Sequence, residues 1–379
     1  VPSKGTLHYL ESLRGIAALV VVLNHVQRTF YWEFCPQLLL AGGLAVRLFF
    51  VLSGFVLSIS YFRKRERSVV YLAALKRYPR LMLPVCASVL TAWAVIQLGA
   101  VKTKQAALEM QQPPGTWLFH EPSHPTPLRQ ALYDGTIGTF VHGALMYNTS
   151  LWTMATELAG SFFIFAFLLV DSFVARRWLL YLGVGLVCAG LPYQFSVYAL
   201  DFLAGLALCD FFVARETSGR SIRLPVWLAA VLCLVGVALG GVGVHDTFVD
   251  SQNPATVLAS KITTLGCLMI VAPASFSSAL RGILEHSIFA LLGRVSFPLY
   301  LFHTTVIGSL GCGTYLALRG NGVAPAAAGM VASGGSVLAS LLVAWLAYYV
   351  VERPSIRLSG VFGRFCLGLF QARSATRPR

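Results

Sequence analysis

Arg14 and His25 lie on one apolar run, LESLRGIAALVVVLNHV from Leu10 to Val26, and both side chains can do chemistry there. At ~100° per residue, their spacing brings them back to nearly one face of a helix, about 16 Å apart along its axis. Such a helix carries a cation near one membrane surface and an imidazole deep in the span. An ionised side chain in hydrocarbon costs roughly 3 kcal/mol on insertion scales, so it normally faces a partner or a polar cavity. Two readings stand. Either the pair marks a functional path, or Arg14 merely sits at the membrane border while His25 bonds a neighbouring helix.

Other residues extend the first reading. A positioned imidazole can take the proton of a hydroxyl as its oxygen attacks a carbonyl, and His25 is the candidate base. Removal from water disfavours the imidazolium, which keeps such a ring ready to accept a proton. Glu157, inside the fourth apolar run, can orient that imidazole, bond an acceptor hydroxyl, or serve as a structural carboxyl. His303, nine residues beyond Arg294, should reach a depth comparable to His25. It can be a second base, a group that binds the acceptor, or a structural histidine. Arg77 and Arg80, in KRYPR, add two guanidinium forks to Arg14 on the expected inner side. Planar forks suit phosphate, so these three arginines can hold a phosphorylated donor; alternatively Arg77 and Arg80 serve anionic lipid headgroups and orientation.

The elements that must position these groups are membrane helices. Of 379 residues, 56% are hydrophobic and only 12% charged, with mean hydropathy +0.71, unlike a soluble domain. The expected fold is therefore all-α, a polytopic bundle of about ten transmembrane helices in a plasma or inner membrane. Windows of ~20 apolar residues place spans near 10–30, 38–62, 81–101, 148–171, 178–192, 196–213, 225–244, 257–275, 288–310 and 327–350. With both termini cytoplasmic, about 22 of the 29 Lys and Arg fall on the inner side. The segment from Ser68 to Leu83 reads as an interfacial helix ending before Pro84. The outer stretch Lys102 to Tyr147, rich in proline, reads as a lid or binding wall whose second half folds back over the bundle mouth. No cleavable leader is recognisable, so the first span is expected to persist.

Several function classes are disfavoured. The net charge of +14 is scattered between apolar runs without an aromatic and basic platform, so nucleic acid is not an expected partner. No metal is expected: His120 and His124 sit in proline-rich sequence without an HExxH or a cysteine partner. The eight cysteines lack ligand spacing and read mainly as packing residues, with Cys35 and Cys312 as a possible outer disulfide pair. Dinucleotide and P-loop fingerprints are missing.

The pattern SLRGIAALVVVLNH resembles the opening of acyltransferase family 3, membrane proteins that carry an arginine ten intervening residues before a histidine. The likeness continues in order through LFFVLSGFV (48–56), KRYPRLMLP (76–84), SLWTMATE (150–157), LGRVSFPLYLFH (292–303) and VVERP (350–354). Arg47 stands where many members carry an acidic or small polar residue, so no family role is transferred to it. The resemblance implies an acyltransferase transmembrane domain over 1–360, with a basic cytoplasmic tail at 361–379. It implies transfer of an acyl group, commonly acetyl from acetyl-CoA, to a hydroxyl on a carbohydrate or other cell-surface or secreted acceptor. On this reading His25 and Glu157 are catalytic, Arg14, Arg77 and Arg80 bind acyl-CoA, and His303, Ser53 and Trp152 bind the acceptor. Ser53 with Gly54 can equally serve close helix packing. The competing class is a transporter of an anionic lipid-linked or sugar substrate, its path lined by the same ionisable groups.

Overall fold

The computed structural model describes residues 7–30, 40–120, 125–191, 193–219, 222–242 and 254–375. Among them the chain forms helices and connecting turns. It opens with α1 (His8–Phe30), α2 (Gly42–Lys64) and α3 (Arg67–Gln97), followed by the short α4 (Thr103–Glu109), α5 (Leu128–Tyr133) and α6 (Thr139–Val141). Then come α7 (Trp152–Asp171), α8 (Arg177–Gly190), α9 (Tyr193–Thr217), α10 (Val226–Val242) and α11 (Pro254–Phe276). A short α12 (Ser278–Leu284) leads to α13 (Ser287–Val306), α14 (Cys312–Gly320), α15 (Pro325–Ala347) and α16 (Arg353–Ala375).

Helices overlie all ten expected segments. Among the described residues, eight are long and apolar enough to cross a membrane, while Arg177–Gly190 and Val226–Gly241 are shorter apolar helices. The molecule is thus an all-α, multi-pass membrane bundle. Two segments differ from the sequence reading. The interfacial helix and the third span are one continuous α3, which runs through Pro79 and Pro84. Each proline removes a backbone donor, but neighbouring helices support the turn, as packed membrane helices allow. At the other end, α16 packs on α3, where Gly363 abuts Lys76. The second half of the outer stretch does not cap the bundle mouth. It descends alongside α3: the Thr126 carbonyl accepts from Trp93 Nε1 at 2.9 Å, and the Thr136 carbonyl accepts from the Tyr78 hydroxyl at 2.7 Å. Fifteen residues of α3 separate Trp93 from Tyr78, about 22 Å of rise. A π-helical turn at Asp134–Gly138 keeps the backbone hydrogen-bonded at that depth.

The register between α1 and α13 matters most for the site. A Cβ added at Gly15 would lie 2.5 Å from the backbone nitrogen of Gly293, and one at Gly293 would lie 2.6 Å from the carbonyl carbon of Glu11. The two helices therefore touch backbone to backbone, a contact that only small residues permit. Ten residues further along each helix stand His25 and His303. A parallel pair locked at its glycines thus brings the two imidazoles to one level. Gly15→Ala is expected to force the helices apart at an overpacking cost of about 1–3 kcal/mol and to lower the unfolding temperature in detergent. Gly282→Ala, where a Cβ meets nothing within 4 Å, is the control; equal melting of the two variants would refute the close contact.

Candidate active site

A cavity of about 890 Å³ opens between α1, α2, α3, α7, α13 and α16. Arg14, Arg77, Arg80 and Arg294 line it, and so do Glu11, Glu157, Glu285 and Glu352. The cations and carboxylates balance in number, so anion affinity depends on which arginines are already engaged. Arg77 forms an ion pair with Glu157 and donates from Nε to Ser161 Oγ at 2.6 Å. Arg80 pairs with Glu352 at 2.8 Å. Arg14 instead donates to a neutral group, Ser53 Oγ, at 2.9 Å, and that hydroxyl donates to Glu157 Oε1 at 2.6 Å. Arg14 Nε and Arg80 Nη1 are buried donors without a partner among the described residues. The buried free donors in this cavity are therefore on Arg14 and Arg80, two of the three arginines singled out in the sequence, while the exposed Arg294 has no hydrogen-bond or ion-pair partner among the described residues.

Local sequence explains how these side chains converge. Arg77 and Arg80 are three apart on α3 and so share a face, while Lys76 turns toward Gly363 on α16. Thr153, Met154 and Glu157 point from α7 into the cavity. Trp152, expected in the acceptor site, is not among the lining residues; one position along the helix turns it toward α9, where its ring lies 5.8 Å from that of Tyr198. A π-helical segment at Tyr348–Glu352 joins α15 to α16, and both of its terminal residues line the cavity.

His25 and His303 are not among the lining residues either. The cavity closes on Phe49 and Tyr300, whose rings stand edge to face at 5.6 Å. The Tyr300 ring is also 6.0 Å from His303. Its hydroxyl donates to the Ser150 carbonyl at 3.1 Å and accepts from Thr153 Oγ1 at 3.0 Å. Beyond Tyr300 the imidazoles of His25 and His303 face each other, with centroids 5.0 Å apart and His25 Nδ1 at 3.3 Å from His303 Nε2. Glu157 does not reach His25: its carboxylate lies on Ser53 and Arg77, and the residue against His25 Nδ1 is His303. His303 is fully buried, whereas His25 is partly exposed, and no hydrogen bond occupies its Nε2 among the described residues.

Two residues of this region carried no signal in the helix pattern. Trp117, from the outer stretch, places its ring edge-on to His25 at 5.8 Å, and its buried Nε1 has no partner among the described residues. Asn148 fixes the face of α13 that carries His303: its Nδ2 donates to the Leu301 carbonyl at 2.6 Å, and its Oδ1 accepts from Thr304 at 2.9 Å. The only sequence hints were a lone tryptophan in QQPPGTW and the family-like stretch that begins two residues after Asn148. Among the described residues no group of three or more His, Cys, Asp or Glu could hold a metal ion. His124 and Cys35 fall outside those residues, and so the spacing of His120 and His124 and the Cys35–Cys312 pairing lie outside them as well.

Comparison with known proteins gives one family and one curated relative. An acyltransferase domain family matches residues 7–349. The O-acetyltransferase PaAT-1 of Phomopsis amygdali is 24% identical over 364 residues, covering 80% of this chain and 72% of that protein. No solved structure matches the chain.

Proposed function

This chain belongs to acyltransferase family 3 and is a multi-pass membrane acyltransferase; from that premise we propose that it moves an acyl group from acyl-CoA to a hydroxyl, with His25 as base. The acyl group is acetyl on this proposal, a reading supported by the O-acetyltransferase relative. The acceptor is a carbohydrate or another cell-surface or secreted alcohol. Phosphates of the donor bind Arg14 and Arg80 in the cavity, and the thioester reaches past Phe49 and Tyr300 to the histidine pair. His25 Nε2 takes the acceptor's proton as its oxygen attacks the thioester carbonyl. The carbon–sulfur bond then breaks, and the same proton passes to the departing thiolate. Trp117, whose ring stands across from His25 and whose buried N–H has no partner among the described residues, is the group best placed to bind the acceptor.

One observation carries this reading: a single helix places an arginine with free donor capacity in the cavity and an imidazole with an unoccupied nitrogen at the far end. Incubation of purified protein with acetyl-CoA and a panel of hydroxylated acceptors tests it, with free thiol and acylated product read together. Thiol release coupled to ester formation is the expected result; ester formed from a different donor, with acetyl-CoA inert, would refute acyl-CoA as the source. Within such an assay Arg14→Gln and Arg80→Gln are each expected to raise the KM for acyl-CoA. A charged hydrogen bond is worth about 1.5–3 kcal/mol, so the rise is roughly ten- to a hundredfold. An unchanged KM would assign these arginines to lipid headgroups.

A further inference from the structure

We propose that His303 is a positioning residue that locks His25 into the tautomer with hydrogen on Nδ1, which leaves Nε2 as the proton-accepting atom. The inference rests on His25 being the base, and the pair of backbone carbonyls beside the rings carries it. His303 Nδ1 lies 2.8 Å from the Tyr300 carbonyl and 3.2 Å from that of Leu299. Carbonyl oxygens only accept, so this nitrogen bears the hydrogen. In a neutral imidazole the other nitrogen, Nε2, is then a lone pair. That lone pair faces His25 Nδ1 at 3.3 Å, and His25 Nδ1 also lies 2.9 Å from the Val21 carbonyl. Both neighbours of His25 Nδ1 are acceptors, so Nδ1 is the donor and Nε2 the lone pair. The opposite tautomer would set three lone pairs against one another.

The lock also acts during the proton transfer. Once His25 Nε2 takes the acceptor's proton, the ring is an imidazolium whose Nδ1–H already points at His303 Nε2 and the Val21 carbonyl. A hydrogen bond from a charged donor is roughly twice as strong as a neutral one, so the contact tightens as charge develops. A base oriented through its second nitrogen by a third group is the general logic of activated nucleophile sites. Here the third group is a neutral histidine, with Glu157 engaged elsewhere. The fold supports the role: the Gly15 and Gly293 contact sets the level of the two rings, and Asn148 and Ser88 both hold the Leu301 carbonyl two residues before His303.

Two variants of full-length protein test the lock. His303→Gln can offer an amide oxygen near the place of Nε2, whereas His303→Phe keeps volume and offers no acceptor. His303→Phe is expected to lower kcat by at least ~10-fold, bounded by the ~10⁴-fold that a wrong tautomer costs a serine-protease histidine, with KM for both substrates unchanged. His303→Gln is expected to recover part of that loss. Solid-state NMR of protein labelled with 15N-histidine reads the tautomer directly and without turnover. Wild type should show His25 protonated at Nδ1, and His303→Phe, which leaves the Val21 carbonyl as the one remaining acceptor at that nitrogen, should raise the share of the form protonated at Nε2. Wild-type kcat together with an unchanged tautomer in His303→Phe would overturn the proposal while leaving His25 as base. Full activity in His25→Gln would instead overturn the base itself.

Discussion

His25→Ala is expected to lose about 10²–10⁴ of transferase turnover, the usual contribution of a positioned general base, while the protein stays folded. The fold should tolerate the change because His25 is partly exposed and its ring's hydrogen-bond partners are one carbonyl and one histidine, neither of which becomes a buried charge. His25→Gln preserves more volume and should be equally inactive, since an amide cannot take a proton at neutral pH. Turnover measured at saturating acyl-CoA, beside size-exclusion profiles in detergent, separates chemistry from folding. The donor KM should stay near its wild-type value, because Arg14 lies about 16 Å away along the axis of α1 and Arg80 belongs to a different helix, α3. A variant that keeps wild-type kcat would remove the histidine from the chemistry and leave the acyl transfer to another group.

The parts of this site that one helix encodes were legible in the sequence, and the parts that arise between helices were not. A spacing of eleven on α1 is a property of one helix, so Arg14 and His25 could be placed on one face before any packing was known. Arg77 and Arg80 sharing a face of α3 is the same kind of inference. The partner of Glu157 is different in kind, because it depends on the rotation of α7 against α2 and α3, which apolar periodicity in nearly uniform spans does not encode. Glu157 therefore stands on Ser53 and Arg77 rather than on the imidazole. One register signal was present and unused. Gly15 precedes His25 by the same interval as Gly293 precedes His303, and two matched glycines of this kind can fix the level of a parallel pair. Trp117 reaches the site from a stretch broken by prolines, where no repeat predicts direction.

Charge inside the bundle also has a purely structural use, and removing it has the second large expected effect. Arg47 and Asp201 are 4% and 0% exposed and form a two-pronged pair, Nε to Oδ2 and Nη2 to Oδ1, each at 2.8 Å. Arg47 also donates to the Ser260 carbonyl and the Thr264 hydroxyl, so one guanidinium ties α2, α9 and α11 together. The helices approach closely at the same level: a Cβ at Gly54 would strike the Phe202 carbonyl, and one at Gly205 the Val51 carbonyl. Arg47→Met leaves Asp201 in a dry interface without its counter-charge, and breaking a buried pair from one side costs about 3–5 kcal/mol. Arg47→Met together with Asp201→Leu removes both charges in similar volumes and should recover most of that loss, since a hydrophobic replacement of a whole buried pair is often neutral or better. Thermal unfolding in detergent of the two single variants and the double variant reads the recovery. Neither residue lines the cavity or touches the histidines, so the double variant should retain transfer near wild type. A stable double variant that lost turnover would move this pair from scaffold to chemistry, and a double variant as unstable as Arg47→Met would show that the bonds to Ser260 and Thr264, rather than the ion pair, hold the three helices.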